Sequence, residues 1–368
     1  MVIVKNSSYE YKELRTNVFE ILSRLDDNLI KEGSKVIIKP NLLTASRQDK
    51  AITTHPLVIK AVTEYVIAKG GRPQISDSPP MGSFDKIINV CGLKDALHGM
   101  PVTIREFKTS KPVQTEGKFK NIELSTDVLE ADVIINLPKL KTHSQMGLTL
   151  AVKNLFGCVI GIKKPQWHYR VGENKNLFAE LLVTIYKILS PSINLMDGIL
   201  AMEGDGPGTG GTPRHIGVLI GSNDALSMDM LVCEMLGIKP LSIPINKIAD
   251  KMGLAKDFTV SGKVPAVKDF IMPSSTDLLF GPKFAHKLLR RHLTSKPVNI
   301  KNACKLCNEC VKMCPAEALK NQGKHLEFDY ERCIRCYCCL EICPHAALKK
   351  QEPFLKKTLE RFWDLRYR

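Results

Sequence analysis

A chain of 368 residues exceeds what one hydrophobic core usually organises, so one large and one small domain are expected. Its 44% hydrophobic and 25% charged residues are ordinary for a globular protein, no apolar run reaches the length of a membrane span, and MVIVKNSSYEYKE lacks the pattern of a signal peptide, so a cytoplasmic location is expected. Of the formal charge of +15, most sits at the end, where from Gly281 onward 19 Lys and Arg face 9 Asp and Glu; with 6% aromatic residues and no nucleic-acid motif, this charge suits an acidic redox partner or an anionic substrate better than nucleic acid, unless it is only a solvated basic face.

In chain order, Ser7 with Glu10 forms a capping box ahead of Val18, Ile21, Leu22, Leu25 and Leu29, whose spacing predicts an amphipathic helix ended by Gly33. KVIIK at Lys35 to Lys39 reads as a buried strand, and Thr53 or Thr54 can cap a helix from Pro56 to about Ala68 that Gly70-Gly71 closes before a short strand, Gln74 to Ser76. Strands are predicted at Val102 to Arg105, Asp132 to Asn136, Ile193 to Met196 and Ile216 to Ile220, with helices at Leu177 to Leu189 and Ala225 to Leu236. This alternation predicts an α/β fold, a mainly parallel sheet with flanking helices, over residues 1 to 280, its polar loops gathered at the carboxyl ends of the strands.

Several polar groups follow those strands: Lys39 and Asn41, Asp77, then Lys139, Lys141 and His143, then Asp197. With Lys153, Asn154 and His168 from the following segment they predict one crevice in which lysines hold an anion and His143, His55 or Asp197 moves a proton. Singly, each lysine or histidine reads as a solvated or satisfied residue; the group carries the expectation. The run EGDGPGTGG, Glu203 to Gly211, lacks the Lys-Ser/Thr of a P-loop and is either a mobile active-site loop or a plain connection. There is no Rossmann fingerprint and no motif for a flavin or other organic cofactor.

The C-terminal part is defined by two copies of C-x-x-C-x-x-C-x-x-x-C-P. Cys304, Cys307, Cys310 and Cys314 precede Pro315, and Cys333, Cys336, Cys339 and Cys343 precede Pro344. In this bacterial two-cluster ferredoxin pattern the fourth cysteine of each run crosses to the other cluster. Two [4Fe-4S] clusters are therefore expected, one on Cys304, Cys307, Cys310 and Cys343, the other on Cys333, Cys336, Cys339 and Cys314, in a small α+β ferredoxin-like domain over residues 299 to 350. A zinc ribbon would lack the third cysteine of each run and the trailing Cys-Pro, and Cys338 reads as a packed thiol. A basic helical linker is predicted at 281 to 298 and a basic amphipathic tail at 351 to 368, which would pack on the body, bind a partner or lie on an anionic membrane surface.

KPNLL at Lys39 to Leu43, TTHP at Thr53 to Pro56, INLPKLKTH at Ile135 to His143, LAVKNLFG at Leu150 to Gly157 and MDG at Met196 to Gly198 together resemble the domain of unknown function 362 family, whose members often carry an attached two-cluster ferredoxin module. The resemblance implies Lys39, Asn41, His55, Lys139, Lys141, His143, Lys153 and Asn154 as residues of interest. Two functions follow as expectations. The first is a ferredoxin-fed reductase acting on an anionic small molecule in the crevice; the alternative is a non-enzymatic electron-transfer or maturation protein that docks a partner enzyme.

Overall fold

The computed structural model describes residues 1–80, 82–161, 163–172, 174–273 and 294–353. In chain order the large domain comprises β1 (Val2–Asn6), α1 (Tyr11–Asp26), β2 (Lys35–Pro40), α2 (Pro56–Ala68), β3 (Arg72–Ile75), α3 (Phe84–Val90), α4 (Leu93–Ala96), β4 (Thr103–Ile104), β5 (Ser110–Gln114), β6 (Asn121–Ser125) and α5 (Thr126–Leu129). It continues with β7 (Val133–Leu137), β8 (Lys139–His143), β9 (Gly147–Thr149), α6 (Ala151–Asn154), α7 (Lys163–Val171), α8 (Lys175–Leu189), β10 (Ile193–Gly204), β11 (Gly211–Ser222), α9 (Ala225–Met235), α10 (Pro244–Lys251) and β12 (Val260–Ser261).

The central sheet runs β12-β1-β11-β10-β7-β2-β3-β4, with β8 and β9 attached to β10. From β10 to β4 every neighbour is parallel, whereas β11 pairs antiparallel with both β10 and β1. Alternate residues of each strand enter different cores: Val36, Ile38, Val133 and Ile135 meet α1 and α2, while Ile37 and Ile134 face the side covered by α8 and α9. Burial on both faces makes KVIIK and DVIIN read as continuous apolar runs.

The structure shifts several predicted boundaries. Strand β1 lies ahead of the first predicted element. Helix α1 is capped by Glu10, whose carboxylate accepts from the Lys12 and Glu13 N–H groups, rather than by a box begun at Ser7. It ends at Asp27 in the left-handed conformation, well before Gly33, so Leu29 is exposed. His55, not Thr53 or Thr54, caps α2 by accepting from Leu57 N–H through Nδ1 at 3.2 Å. Lys139 to His143, placed by sequence in a loop, form β8. Beyond Pro138 this strand takes over from β7 alongside β10, putting Lys139 opposite Asp197.

The small domain contains β13 (Lys296–Asn299), β14 (Leu319–Asn321), β15 (Leu326–Phe328) and β16 (Leu348–Gln351), with short helices at Glu309–Met313 and Cys338–Ile342. Strand β13 pairs with β16 and β14 with β15, both antiparallel. The end of the segment predicted as linker is thus strand β13, preceded by the buried Thr294 and Ser295; its residues 281 to 293, and residues 354 to 368 of the predicted tail, lie outside the described residues. The glycine-rich run is the turn between β10 and β11, and it docks the two domains. Thr209 Oγ1 donates to Cys343 O at 2.8 Å, and a Cβ on Gly208 would stand 2.6 Å from Glu341 O.

Candidate functional site

Three polar assemblies form at the carboxyl ends of the parallel strands. In the first, Lys139 Nζ donates to Asp197 Oδ2 at 2.7 Å and to the Tyr9 hydroxyl at 3.0 Å, Tyr9 donates to Asp197 Oδ1 at 2.8 Å, and the His55 backbone N–H donates to Oδ2 at 2.9 Å. The Tyr9 and His55 rings stack with centroids 3.7 Å apart. Burial opposes charge on Asp197, but Lys139 and the His55 N–H hold its carboxyl below the usual range. Burial also pushes the His55 imidazole down to about 4, so at neutral pH it is neutral with Nδ1 as the acceptor.

The second assembly is a directed chain of amides. Lys141 Nζ donates to Asn41 Oδ1 at 2.8 Å, and Asn41 Nδ2 to Asn154 Oδ1 at 2.9 Å. Asn154 Nδ2 donates to Asn136 Oδ1 at 2.8 Å, and Asn136 Nδ2 to Asn194 Oδ1 at 2.9 Å. Each amide polarises the next, and every buried group finds its partner. Beside it Lys39 Nζ donates to Asp77 Oδ1 at 2.9 Å and to Pro40 O at 2.7 Å. Gly157 closes the KNLFG segment here because a Cβ would collide with Asp77 and with Lys39 Nζ. Asp229 of α9 holds the same segment by accepting from Ala151 N–H at 2.7 Å and Val152 N–H at 3.1 Å.

The third assembly is a cleft of about 640 Å³, mouth included, at the junction of the two domains. The large domain contributes Lys39, Lys141, Lys153, Lys164 and His168, and the cysteine-rich domain Met313, Cys338 and Glu341. Four lysines face two carboxylates, Asp77 and Glu341, and burial pushes Lys141 well below the ordinary lysine range. Lys153 makes no hydrogen bond among the described residues, and His168 Nδ1 is buried without a partner. Burial lowers both, with Glu341 working the other way, and takes His168 down to about 3. Lys164, which donates to Ser78 O, is lowered by burial to about 8.

His143 is fully buried beside the cleft. Its Nδ1 accepts from the Gln145 and Met146 N–H groups at 3.1 and 3.2 Å, which leaves the proton of the neutral ring on Nε2. Nε2 lies 3.0 Å from Glu341 Oε1, an electrostatic approach without the alignment of a hydrogen bond. Burial lowers His143 to about 4. Burial opposes charge on Glu341 too, yet His143, Lys153 and His168 bring its carboxyl down to about 2.

In the small domain Cys304, Cys307, Cys310 and Cys343 line one cavity of about 320 Å³, mouth included. Cys310 lies within electrostatic reach of Cys343, Cys307 and Cys304, and Cys314 within reach of Cys336 and Cys333. The Ala347 N–H points to Cys343 Sγ at 3.3 Å and the Ala318 N–H to Cys314 Sγ at 3.2 Å, the backbone donation that thiolates require. Cys338 is buried and faces the cleft rather than the cavity.

Of the residues singled out by sequence, Lys39, Asn41, Lys141, Lys153, Asn154 and His168 line the cleft. His55, Lys139 and Asp197 come together in the closed first assembly instead and are not among the lining residues, because their polar atoms are consumed by one another, by Tyr9 and by backbone. Sequence reasoning missed Tyr9, Asn136, Lys164, Asn194, Asp229 and Glu341. Of these, Glu341 carried a signal as a carboxylate set between two cysteines of the second run, and Asn136 as the end of a predicted strand.

The family described as Domain of unknown function (DUF362) matches residues 36–234, and the family described as 4Fe-4S dicluster domain matches residues 296–344. The chain is 37% identical over 254 residues to the thylakoid-associated protein sll1697 of Synechocystis sp., covering 68% of this chain and 79% of that one. Among solved structures it is similar to the lactate racemase apoprotein from Thermoanaerobacterium thermosaccharolyticum, with a TM-score of 0.38 and 12% identity over 62% of this chain and 55% of that chain, so it spans about half of that protein's length. The chain belongs to the DUF362 family and carries a C-terminal 4Fe-4S dicluster domain, which makes it an iron-sulfur protein with a redox or electron-transfer role.

Proposed function

We propose that this chain is a two-cluster reductase in which electrons reach an anionic small molecule held in the cleft between the domains. The observation that carries the reading is the cleft itself: Lys153, which makes no hydrogen bond among the described residues, and His168 Nδ1, which has no partner among them, face the same space as Cys338 and Glu341, which belong to the second cysteine run. In this reading Cys304, Cys307, Cys310 and Cys343 hold one [4Fe-4S] cluster, and Cys333, Cys336, Cys339 and Cys314 hold the other. The cysteine-lined cavity and the backbone donors to Cys314 and Cys343 fit such groups. When bound, each cluster supplies one-electron transfer, and two match the two-electron demand of most organic reductions.

The chain's own residues do the rest. Lys153 attracts the anion, and the amide chain from Asn41 to Asn194 fixes Lys141 at the wall of the cleft. Lys164, lowered to about 8, is the cleft group best poised to give up a proton near neutrality. We assign His55, Lys139 and Asp197 to holding Tyr9 and the start of α2 in place, and His143 to joining the domains through Glu341.

Among the described residues no helix is long and apolar enough to cross a membrane. A location where thiols stay reduced, the cytoplasm or a surface facing it, is part of the proposal. The thylakoid association of the Synechocystis relative is compatible with work beside a membrane.

The test is anaerobic purification with iron analysis and mass spectrometry of the small molecules released on denaturation. About eight irons per chain and a defined anion, lost on Lys153→Gln, are expected. Iron without any anion, and reoxidation rates that no added anion changes, would sink the reductase reading in favour of a relay or maturation protein acting on a partner enzyme.

A further inference from the structure

The two cysteine runs differ in exposure and in surrounding charge. In the first, Cys307 is exposed and Cys304 half-buried; in the second, Cys333, Cys336 and Cys339 are all buried, and Cys338 between them faces the cleft. Around the first run stand the exposed Lys301, Lys305 and Lys349 with His345, and the only carboxylate in that wall among the described residues, Glu309, lies 3.8 Å from Lys312. These lysines share one surface because Ile300 N–H donates to Ala347 O and Cys304 N–H to Ile300 O, which ties the loop to the edge of the β13-β16 pair. The second run is flanked instead by the exposed carboxylates Glu317, Asp329 and Glu331, against Arg332, paired to Glu317 at 3.3 Å, and the buried Arg335, which lies over the Tyr330 ring. Among the described residues the small domain therefore has a basic end, where Cys307 is exposed, and a more acidic end, where the most accessible cysteine is the half-buried Cys314.

We propose that the basic surface around Cys304 to Cys310 is the docking face for an acidic one-electron donor protein, and that electrons run from this loop inward to the Cys333 to Cys339 loop beside the cleft. This rests on the iron-sulfur assignment above and gives it a direction and a partner class. Each encounter oxidises the donor by one electron and reduces the chain by one, with no proton crossing the interface. Two encounters load the chain for a two-electron reduction. Opposite charge guides the donor to the end where the path to bound metal is shortest, and the acidic end repels it from a non-productive approach.

The full-length chain with its clusters intact is mixed anaerobically, in a stopped-flow instrument, with the hydroquinone of an acidic flavodoxin, whose semiquinone colour reports each electron that leaves. Lys301→Glu with Lys305→Glu is expected to lower the second-order rate roughly tenfold at low salt, with the gap closing at high salt, while the methyl viologen radical cation reduces the double variant no more slowly than the parent. The same two-charge reversal at Lys50 and Lys94, on the large domain, is expected to leave the rate within about twofold, the size of a net-charge effect without docking. Equal losses from both pairs, or none from Lys301 and Lys305, would overturn the proposal. If the double reversal fails to retain iron, Lys301→Gln with Lys305→Gln replaces it, and a smaller loss in the same order is required. The readout is reduction of the chain itself, so it stands whether or not the cleft proves to hold an anion.

Discussion

Glu341 Oε1 of the cysteine-rich domain stands 3.0 Å from His143 Nε2 of the large domain, at the back of the cleft that both domains build. The contact joins the KTH segment of β8 to the helix Cys338–Ile342 and supplies the counter-charge for Lys153.

Replacing Glu341 by Ala removes that charge from beside His143 Nε2–H and Lys153. A loss of about 1–3 kcal/mol is expected, with Glu341→Gln costing less because it keeps the volume of the side chain and a polar oxygen near Nε2. Denaturant unfolding followed by far-ultraviolet circular dichroism measures both; equal losses would place the whole effect on the carboxylate charge, and no loss from Glu341→Ala would show that the contact contributes nothing.

Asp197→Ala strands Lys139 as a buried cation, since their side chains are 0% and 1% exposed. The expected cost is about 3–5 kcal/mol, against a much smaller one for Lys139→Met combined with Asp197→Leu, which removes both charges together. A double-mutant cycle on the unfolding midpoint should therefore be strongly non-additive. Additive losses would show that the pair does not act as a unit.

His55 gives stability a defined acid limit. Burial lowers its folded-state value to about 4 from about 6.5 in the unfolded chain, against Asp197, which favours its charge, and with Lys139, which disfavours it; the stacked Tyr9 stays protonated. Above about pH 6.5 both states hold it neutral and its contribution is complete. As the pH falls from 6.5 toward 4 the unfolded chain binds a proton that the folded one does not, so stability declines, by on the order of 1–2 kcal/mol at pH 5. Asn at this position keeps a side-chain oxygen to cap α2 but cannot titrate. Thermal melts of His55→Asn should lose less between pH 7 and pH 5 than the parent does, and parallel curves would refute the assignment.

Cys338 and Cys339 are neighbours with different expected fates. Cys338→Ala should retain about eight irons, while Cys339→Ser should lose iron from one cluster and retain about four. Iron analysis with electron paramagnetic resonance of the reduced samples separates the two. Loss of iron from Cys338→Ala would make it a ligand.

Local chemistry determined much of this protein. Apolar runs bounded by Gly and Pro place β2, β7, α2 and α8, because burial on both faces of a parallel sheet leaves a signature in consecutive residues. The two cysteine runs specify their module because ligand spacing is a property of a short loop. Lys39, Asn41, Lys139, Lys141, Lys153 and Asn154 were also legible, since KPN, KTH and KN each follow an element whose end the sequence marks, whereas Lys164, Asn136 and Asn194 were not.

Only the tertiary structure decided how those residues divide. Lys139 and Lys141 are two residues apart on β8, yet Lys139 is spent on Asp197, a partner supplied by the register of β10, and Lys141 heads the amide chain into the cleft. The closing of the first assembly by Tyr9, and the meeting of Glu341 with His143 and Lys153, depend on segments about 130 to 200 residues apart in the chain. Such pairings arise from strand order and domain docking, long-range burial effects that no local pattern encodes.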